Sequence, residues 1–168
     1  MTKAKLQGQF QALVDEHKKV LYKICNLYCK KADDREDLAQ EIVLQLWRSF
    51  GSFDGRCRFS TWMYRVALNV AISFIRREST RPRHVISAHE RLLEAVDDAP
   101  DATEDLRLLY QCIENLDALN KALVLLYLDG NPYEEIAEVL GISESNVATK
   151  LSRLKKKMKQ ELCTPEQA

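Results

Sequence analysis

Between Asn131 and Met158 two amphipathic segments flank a single glycine, and that spacing leaves few ways for the chain to fold. Asn131-Pro132-Tyr133-Glu134 reads as an N-cap, a proline at the first helical position and a glutamate at the third, an asparagine version of the capping box. Ile136, Ala137 and Leu140 then face inward, Gly141 ends the helix, and Ile142 packs in the turn. Ser143 caps a second helix whose Val147, Leu151, Leu154 and Met158 form one stripe. A small residue four positions before the glycine and a valine six positions after it suit two helices crossing through a short turn. The expectation is a helix-turn-helix.

Helical periodicity runs through most of the remaining sequence. Phe10, Leu13, Val14, Val20, Leu21, Ile24 and Tyr28 predict one amphipathic first helix. The acidic cluster Asp33, Asp34, Glu36 and Asp37 supplies a cap and first-turn charge for a second helix, which carries Leu38, Ile42, Leu46 and Phe50 inward. Gly51 and the stretch Ser52–Arg58 read as a loop, and a third helix starts near Ser60 and ends at Arg76-Arg77. From about Ser79 to Ala102 the periodicity fades and acid accumulates, which predicts a linker with one short helical turn around His89–Val96. Periodicity resumes with Leu106, Leu109, Cys112, Ile113 and Leu116, then with Leu119, Leu123, Leu126 and Tyr127, up to Asp129-Gly130. With only five Gly and four Pro in 168 residues, the fold class is all-α: two small helical domains joined by a flexible linker, the C-terminal one containing the helix-turn-helix. The domains fall at 1–80 and 103–162, with the linker at 81–102 and a tail at 163–168.

A formal net charge of zero hides a division along the chain. Residues 1–81 carry 15 basic and 9 acidic side chains, residues 82–135 carry 4 and 12, and residues 136–168 carry 6 and 4. Six of the ten residues from Lys150 to Lys159 are basic and none is acidic. With the apolar stripe turned inward, Ser145, Thr149, Ser152, Arg153 and Lys156 point outward, and Asn146 and Lys150 lie on the flank. Hydroxyl and amide groups at a capped helix start, followed by a basic tail, suit base edges first and phosphates second. A helical hairpin with a solvated lysine face would carry the same run, but turn, caps, spacing and one-sided charge agree on DNA.

Two further patterns lie in the N-terminal half. Phe50, Phe53, Phe59, Trp62, Tyr64 and Phe74 interleave with Arg56, Arg58, Arg65, Arg76 and Arg77. Aromatics beside arginines stack unpaired bases and track a backbone; the same rings also serve as core. Asp37 and Glu41 stand one helical turn apart, a like-charge pairing that costs about 0.2–0.5 kcal/mol in an isolated helix. With Gln40 and Gln45 they form either a polar ridge awaiting a cationic partner or a solvated acidic face.

The five cysteines, Cys25, Cys29, Cys57, Cys112 and Cys163, form no CxxC pair and indicate neither a disulfide framework nor a zinc knuckle. Cys25 and Cys29 could with His17 suggest a metal site, but thiols on the apolar face of a helix, with Cys29 at its margin, are the simpler account. His17, His84 and His89 are isolated, and no phosphate-cradling glycine loop is present, so no catalytic residue, metal or cofactor is expected. No run approaches the roughly 18 apolar residues of a membrane span, and the first residues lack a secretory signal. The expected location is the cytoplasm, without membrane insertion.

Together these residues resemble an extracytoplasmic-function (ECF) sigma factor, the small two-domain class of bacterial RNA polymerase specificity subunits. Asp37-Leu38-Ala39-Gln40-Glu41-Ile42-Val43-Leu44-Gln45-Leu46-Trp47 is similar to the family's polymerase-binding helix. Phe53-x-Gly55 with Phe59-Ser60-Thr61-Trp62-Met63-Tyr64-Arg65-Val66-Ala67-x-Asn69 is similar to its promoter-melting segment, and Tyr133–Ser143 with Lys150–Leu154 to its region-four helix-turn-helix. The resemblance implies that Asp37, Gln40, Glu41 and Gln45 contact core RNA polymerase, on a basic coiled coil of its largest subunit. It assigns promoter melting and the single-stranded downstream element to Phe53, Arg56, Arg58, Phe59, Trp62, Arg65, Asn69, Arg76 and Arg77. The duplex upstream element falls to Ser143, Ser145, Asn146, Thr149, Lys150, Ser152, Arg153 and Lys156. An anti-sigma factor is a further implied partner, and the activity implied is transcription initiation with no catalysis of its own. The alternative is a helix-turn-helix regulator that is not a polymerase subunit.

Overall fold

Apolar faces on the first helices can leave water only by closing on one another, and they do so around two alanines. The computed structural model describes residues 3–80 and 104–163, and among them it holds eight helices and no strand. In the first half these are α1 (Lys3–Glu16), α2 (Lys18–Tyr28), α3 (Ala32–Phe50) and α4 (Phe59–Ser79). Helices α2, α3 and α4 pack mutually. They bury Ile24 of α2, Leu38, Ile42 and Leu46 of α3, and Met63, Ala67 and Ala71 of α4 completely. Ala67 and Ala71 lie one turn apart, so α4 offers a low surface onto which the longer α3 side chains close. Helix α1 joins through Phe10, whose ring meets Trp47 and Phe50 edge-on with centroids 5.1 and 5.2 Å apart.

Three local expectations are corrected here. The single first helix is two, broken at His17 (φ −107°, ψ 15°), whose N–H is shared between the Leu13 and Val14 carbonyls at 3.2 Å each. The His17 ring lies 5.3 Å from that of Phe59, a tertiary contact that apolar periodicity does not register. The acidic cluster does not cap α3: Lys31 holds the cap position without a side-chain bond, and Asp33 and Asp34 sit inside the first turn, facing the positive end of the helix dipole. Cys29 is as deeply buried as Cys25 and belongs to the core instead of its margin.

The chain divides into two units between Arg81 and Pro82. The described helices of the second unit are α5 (Glu104–Glu114), α6 (Ala118–Leu128), α7 (Tyr133–Leu140) and α8 (Glu144–Cys163). Asp117 caps α6, its Oδ1 accepting the Asn120 N–H at 3.0 Å. Helix α6 ends with Gly130 in the left-handed region (φ +78°), its N–H donating to Tyr127 O at 3.0 Å while Asn131 N–H donates to Leu126 O at 3.1 Å. Asn131 Nδ2 reaches the same Leu126 carbonyl at 2.9 Å. Asn131 therefore closes α6 and does not cap the next helix; Pro132, in extended backbone (φ −67°, ψ 156°), occupies that position, and no capping box forms.

The turn itself follows the sequence. Gly141 is left-handed (φ +67°), Ile142 N–H donates to Ala137 O at 3.2 Å, and Ser143 Oγ accepts Asn146 N–H at 3.2 Å. Leu123, Leu126, Ile136 and Val147 are fully buried and Leu151 nearly so. On α7, Val139 is buried while Ala137 and Leu140 are half-buried. The expected linker at 81–102, with its expected turn at His89–Val96, lies outside the described residues, and so does the expected tail at 163–168 except for Cys163, which ends α8.

Candidate functional site

Helix α3 spends one face on the core and leaves the opposite face outward. Asp37, Gln40 and Gln45 are exposed, and so is Leu44, at 48%. Leu44 escaped the sequence-based list, although it stands off the Leu38–Ile42–Leu46 stripe and had no core role to fill. Glu41 is half-buried: its two carboxylate oxygens accept from Arg77 Nη2 of α4 at 2.7 and 2.8 Å. The self-repulsion of Asp37 and Glu41 is thus met by a cation of this same chain. Between α3 and α4 runs a shallow groove of about 350 Å³, lined by Gln45 and Ser49 on one helix and by Asn69, Ser73, Val66 and Val70 on the other.

The aromatic residues before and within α4 form a cluster. Phe53 lies 5.6 Å from Phe59 and 5.2 Å from Trp62, and Phe50 touches all three. Phe59 and Trp62 are each only 8% exposed. Both rings pack against their aromatic neighbours at edge-on or tilted angles, and Phe53 is half-buried. The cluster anchors the loop at Phe53, and Gly55 (φ +74°) turns it back. Asp54 orders the tip, accepting Arg56 N–H at 3.1 Å and pairing with Arg56 Nε at 2.9 Å. Arg56, Arg58, Asn69 and Arg76 are exposed and Arg65 is half-buried. Phe59 and Arg77 stand eighteen positions apart on α4, roughly 27 Å along the helix axis, so the loop arginines and the Arg76-Arg77 pair stand at its opposite ends.

Helix α8 presents Ser145, Asn146, Thr149, Ser152, Arg153 and Lys156 outward, beside exposed Ser143, with Lys150 half-buried. Thr149 Oγ1 donates to Ser145 O at 2.9 Å, which fixes that hydroxyl on the helix. The basic run is less uniform than its sequence. Lys155 Nζ lies 4.0 Å from the centre of the Tyr127 ring, and hydrogen bonding to Tyr127 holds its pKa above the usual lysine range. Lys157 stands 3.8 Å from Glu161. Arg153 and Lys156 remain directed to solvent.

Among the described residues no group of three or more His, Cys, Asp or Glu stands together to hold a metal ion, and no helix is long and apolar enough to cross a membrane.

Residues 13–81 match the family model of Sigma-70 region 2, and residues 106–158 that of Sigma-70, region 4. The chain is 29% identical over 170 residues to the ECF RNA polymerase sigma factor SigW of Bacillus subtilis, covering 93% of this chain and 90% of that protein. The RNA polymerase sigma factor YlaC of the same organism is 31% identical over 134 residues, 76% of each chain. The chain belongs to the ECF sigma factors. Region 2 of this sigma factor takes in the last turn of α1 and all of α2 to α4, and region 4 runs from within α5 through most of α8. The structure of CnrH in complex with the cytosolic domain of CnrY has the same fold, with a TM-score of 0.67 at 24% identity, covering 93% of this chain and 88% of that one. A region 2 that occupies nearly all of the first unit disfavours a regulator that is not a polymerase subunit.

Proposed function

We propose that this sigma factor docks on core RNA polymerase through the exposed α3 face, holds opened promoter DNA with its first unit, and reads duplex upstream DNA with α8. The observation that carries the proposal is the α3 face. A helix already anchored by Leu38, Ile42 and Leu46 leaves an exposed leucine, Leu44, among Asp37, Gln40 and Gln45, the composition of a contact surface with an apolar centre and polar rim. Glu41, one turn from Asp37 and half-buried, is held by Arg77.

Downstream, the loop around Arg56 and Arg58 and the α4 residues Arg65 and Asn69 contact the unpaired strand, while Phe53, Phe59 and Trp62 hold the loop in shape. Extruding a base costs a few kcal/mol, which arginine–phosphate attraction and contacts to the base must offset. Upstream, Ser145, Asn146 and Thr149 face base edges and Arg153 and Lys156 face phosphates. The functional domains correspond to 1–80 and 103–162. The protein works in the cytoplasm as an initiation factor without catalysis of its own, and an anti-sigma factor is a partner, as NepR is for the structurally similar sigma factor RpoE of Bartonella quintana.

The test is association of the purified chain with core polymerase, followed by anisotropy of a fluorophore on the chain. Leu44→Asp places a charge at the centre of the face without touching the core, and it is expected to weaken binding at least tenfold. Unchanged affinity would remove α3 from the interface.

A further inference from the structure

The Glu41–Arg77 pair joins two residues assigned to different partners, and we propose that it is a latch that keeps Arg77 off nucleic acid until a cationic partner takes Glu41. The inference rests on the assignment of the α3 face to polymerase and of Arg77 to the opened strand. A single nitrogen, Arg77 Nη2, donates to both Glu41 oxygens, and the guanidinium lies 5.8 Å from the centre of the Phe74 ring on its own helix. The two side chains nevertheless stay 59% and 39% exposed, so competing ions reach them from solvent. An exposed pair of this kind adds little to stability, which lets either partner be exchanged without unfolding α3 or α4.

The consequence is a coupling between two ligands. While Glu41 meets its charge, Arg77 has no phosphate to neutralise and contributes little counterion release when a strand binds. A basic surface docking on Asp37 and Gln40 brings a second cation to Glu41, one turn further along α3, and frees Arg77. Linkage makes the effect reciprocal: a strand phosphate on Arg77 releases Glu41 and strengthens docking by the same factor. Opened DNA and polymerase then reinforce one another through one ion pair inside region 2.

The experiment measures binding of a short fluorescent single strand to the full chain, without polymerase, across salt concentration. It compares wild type, Glu41→Gln, Arg77→Gln and the double variant, each checked for native tryptophan emission from Trp47 and Trp62. The latch predicts that Glu41→Gln steepens the log–log salt slope by about 0.7, one single-strand phosphate contact, or about 2.6-fold in relative affinity over a fourfold salt range. It also predicts that this gain vanishes when Glu41→Gln is added to Arg77→Gln. An equal gain in both backgrounds means that only net charge changed, and it overturns the latch. Weakening by Arg77→Gln in an otherwise wild-type chain that equals its weakening beside Glu41→Gln also overturns it, leaving the assignment of Arg77 to the strand intact. If Arg77→Gln changes binding in neither background, that assignment fails and the latch with it.

Discussion

Arg153 and Lys155 are separated by one residue in a run of cations, yet their surroundings give them different tasks. Arg153 projects from α8 into solvent, whereas Lys155 is laid against the Tyr127 ring at 4.0 Å. On B-form DNA each neutralised phosphate contributes about 0.9 to the slope of log affinity against log salt. Over a fourfold rise in salt, one such contact is worth about 3.5-fold. Wild type is therefore expected to lose about 3.5-fold more affinity than Arg153→Ala over that range, and Lys155→Ala is expected to keep the wild-type slope. Anisotropy of a labelled duplex titrated with each full-length variant measures both, and because phosphate attraction is independent of sequence the promoter need not be known. If Lys155→Ala flattened the slope as much as Arg153→Ala, the division of the basic run into a DNA-facing part and a part docked on its own unit would be wrong.

Three further outcomes follow from the geometry. A Cβ at Gly141 would meet no atom within 4 Å, so Gly141→Ala carries only the cost of a left-handed backbone, about 1–2 kcal/mol; urea unfolding followed by far-ultraviolet circular dichroism should show it, with Gly141→Asn losing less, and equal stability of Ala and Gly would dismiss the turn argument. Asp37→Lys with Gln40→Lys, both on the exposed α3 face, should abolish core polymerase binding at unchanged helicity, and retained binding would refute the docking face. Burial pushes the Cys25 thiol up to about 11 and Cys29 to about 12, from 9.0. The folded state then holds protons that the unfolded state releases, so this contribution is complete below pH 9 and is lost as pH rises through those raised values. The urea midpoint of the first unit, read from Trp47 and Trp62 emission, should fall above pH 9 and fall less in Cys29→Val; an identical fall in both would exclude that thiol.

The helices were legible where burial alone decides them. Leu38, Ile42 and Leu46 repeat at helical spacing and are fully buried, and Val147, Leu151 and Leu154 likewise turn inward. Legibility failed wherever a residue's partner lies elsewhere in the chain. His17 breaks the first helix beside Phe59, a ring on another helix. Asn131 satisfies every local rule for an N-cap, but the left-handed Gly130 before it brings its N–H groups onto the Leu126 carbonyl of the preceding helix. Local rules cannot choose between two adjacent helix ends that want the same side chain. The same holds for the site: one-sided exposure of α8 follows from the wheel, whereas the pairing of Glu41 with Arg77, 36 residues apart, and the docking of Lys155 on Tyr127 depend on packing. Aromatic residues were ambiguous for a physical reason, since a ring that stacks on a base and one that stacks on another ring have the same composition. In the structure Phe59 and Trp62 pack against other rings.

The central claim is that this chain turns core RNA polymerase into a promoter-specific enzyme. The direct measurement is transcription from genomic DNA fragments by core polymerase alone and by core polymerase reconstituted with the purified chain, with the 5′ ends of the transcripts mapped. The account predicts new transcripts that begin at a discrete set of sites sharing an upstream and a downstream element, and their loss with Asp37→Lys plus Gln40→Lys. Transcripts unchanged by adding the chain, or a chain that binds DNA but shows no affinity for core polymerase, would contradict it.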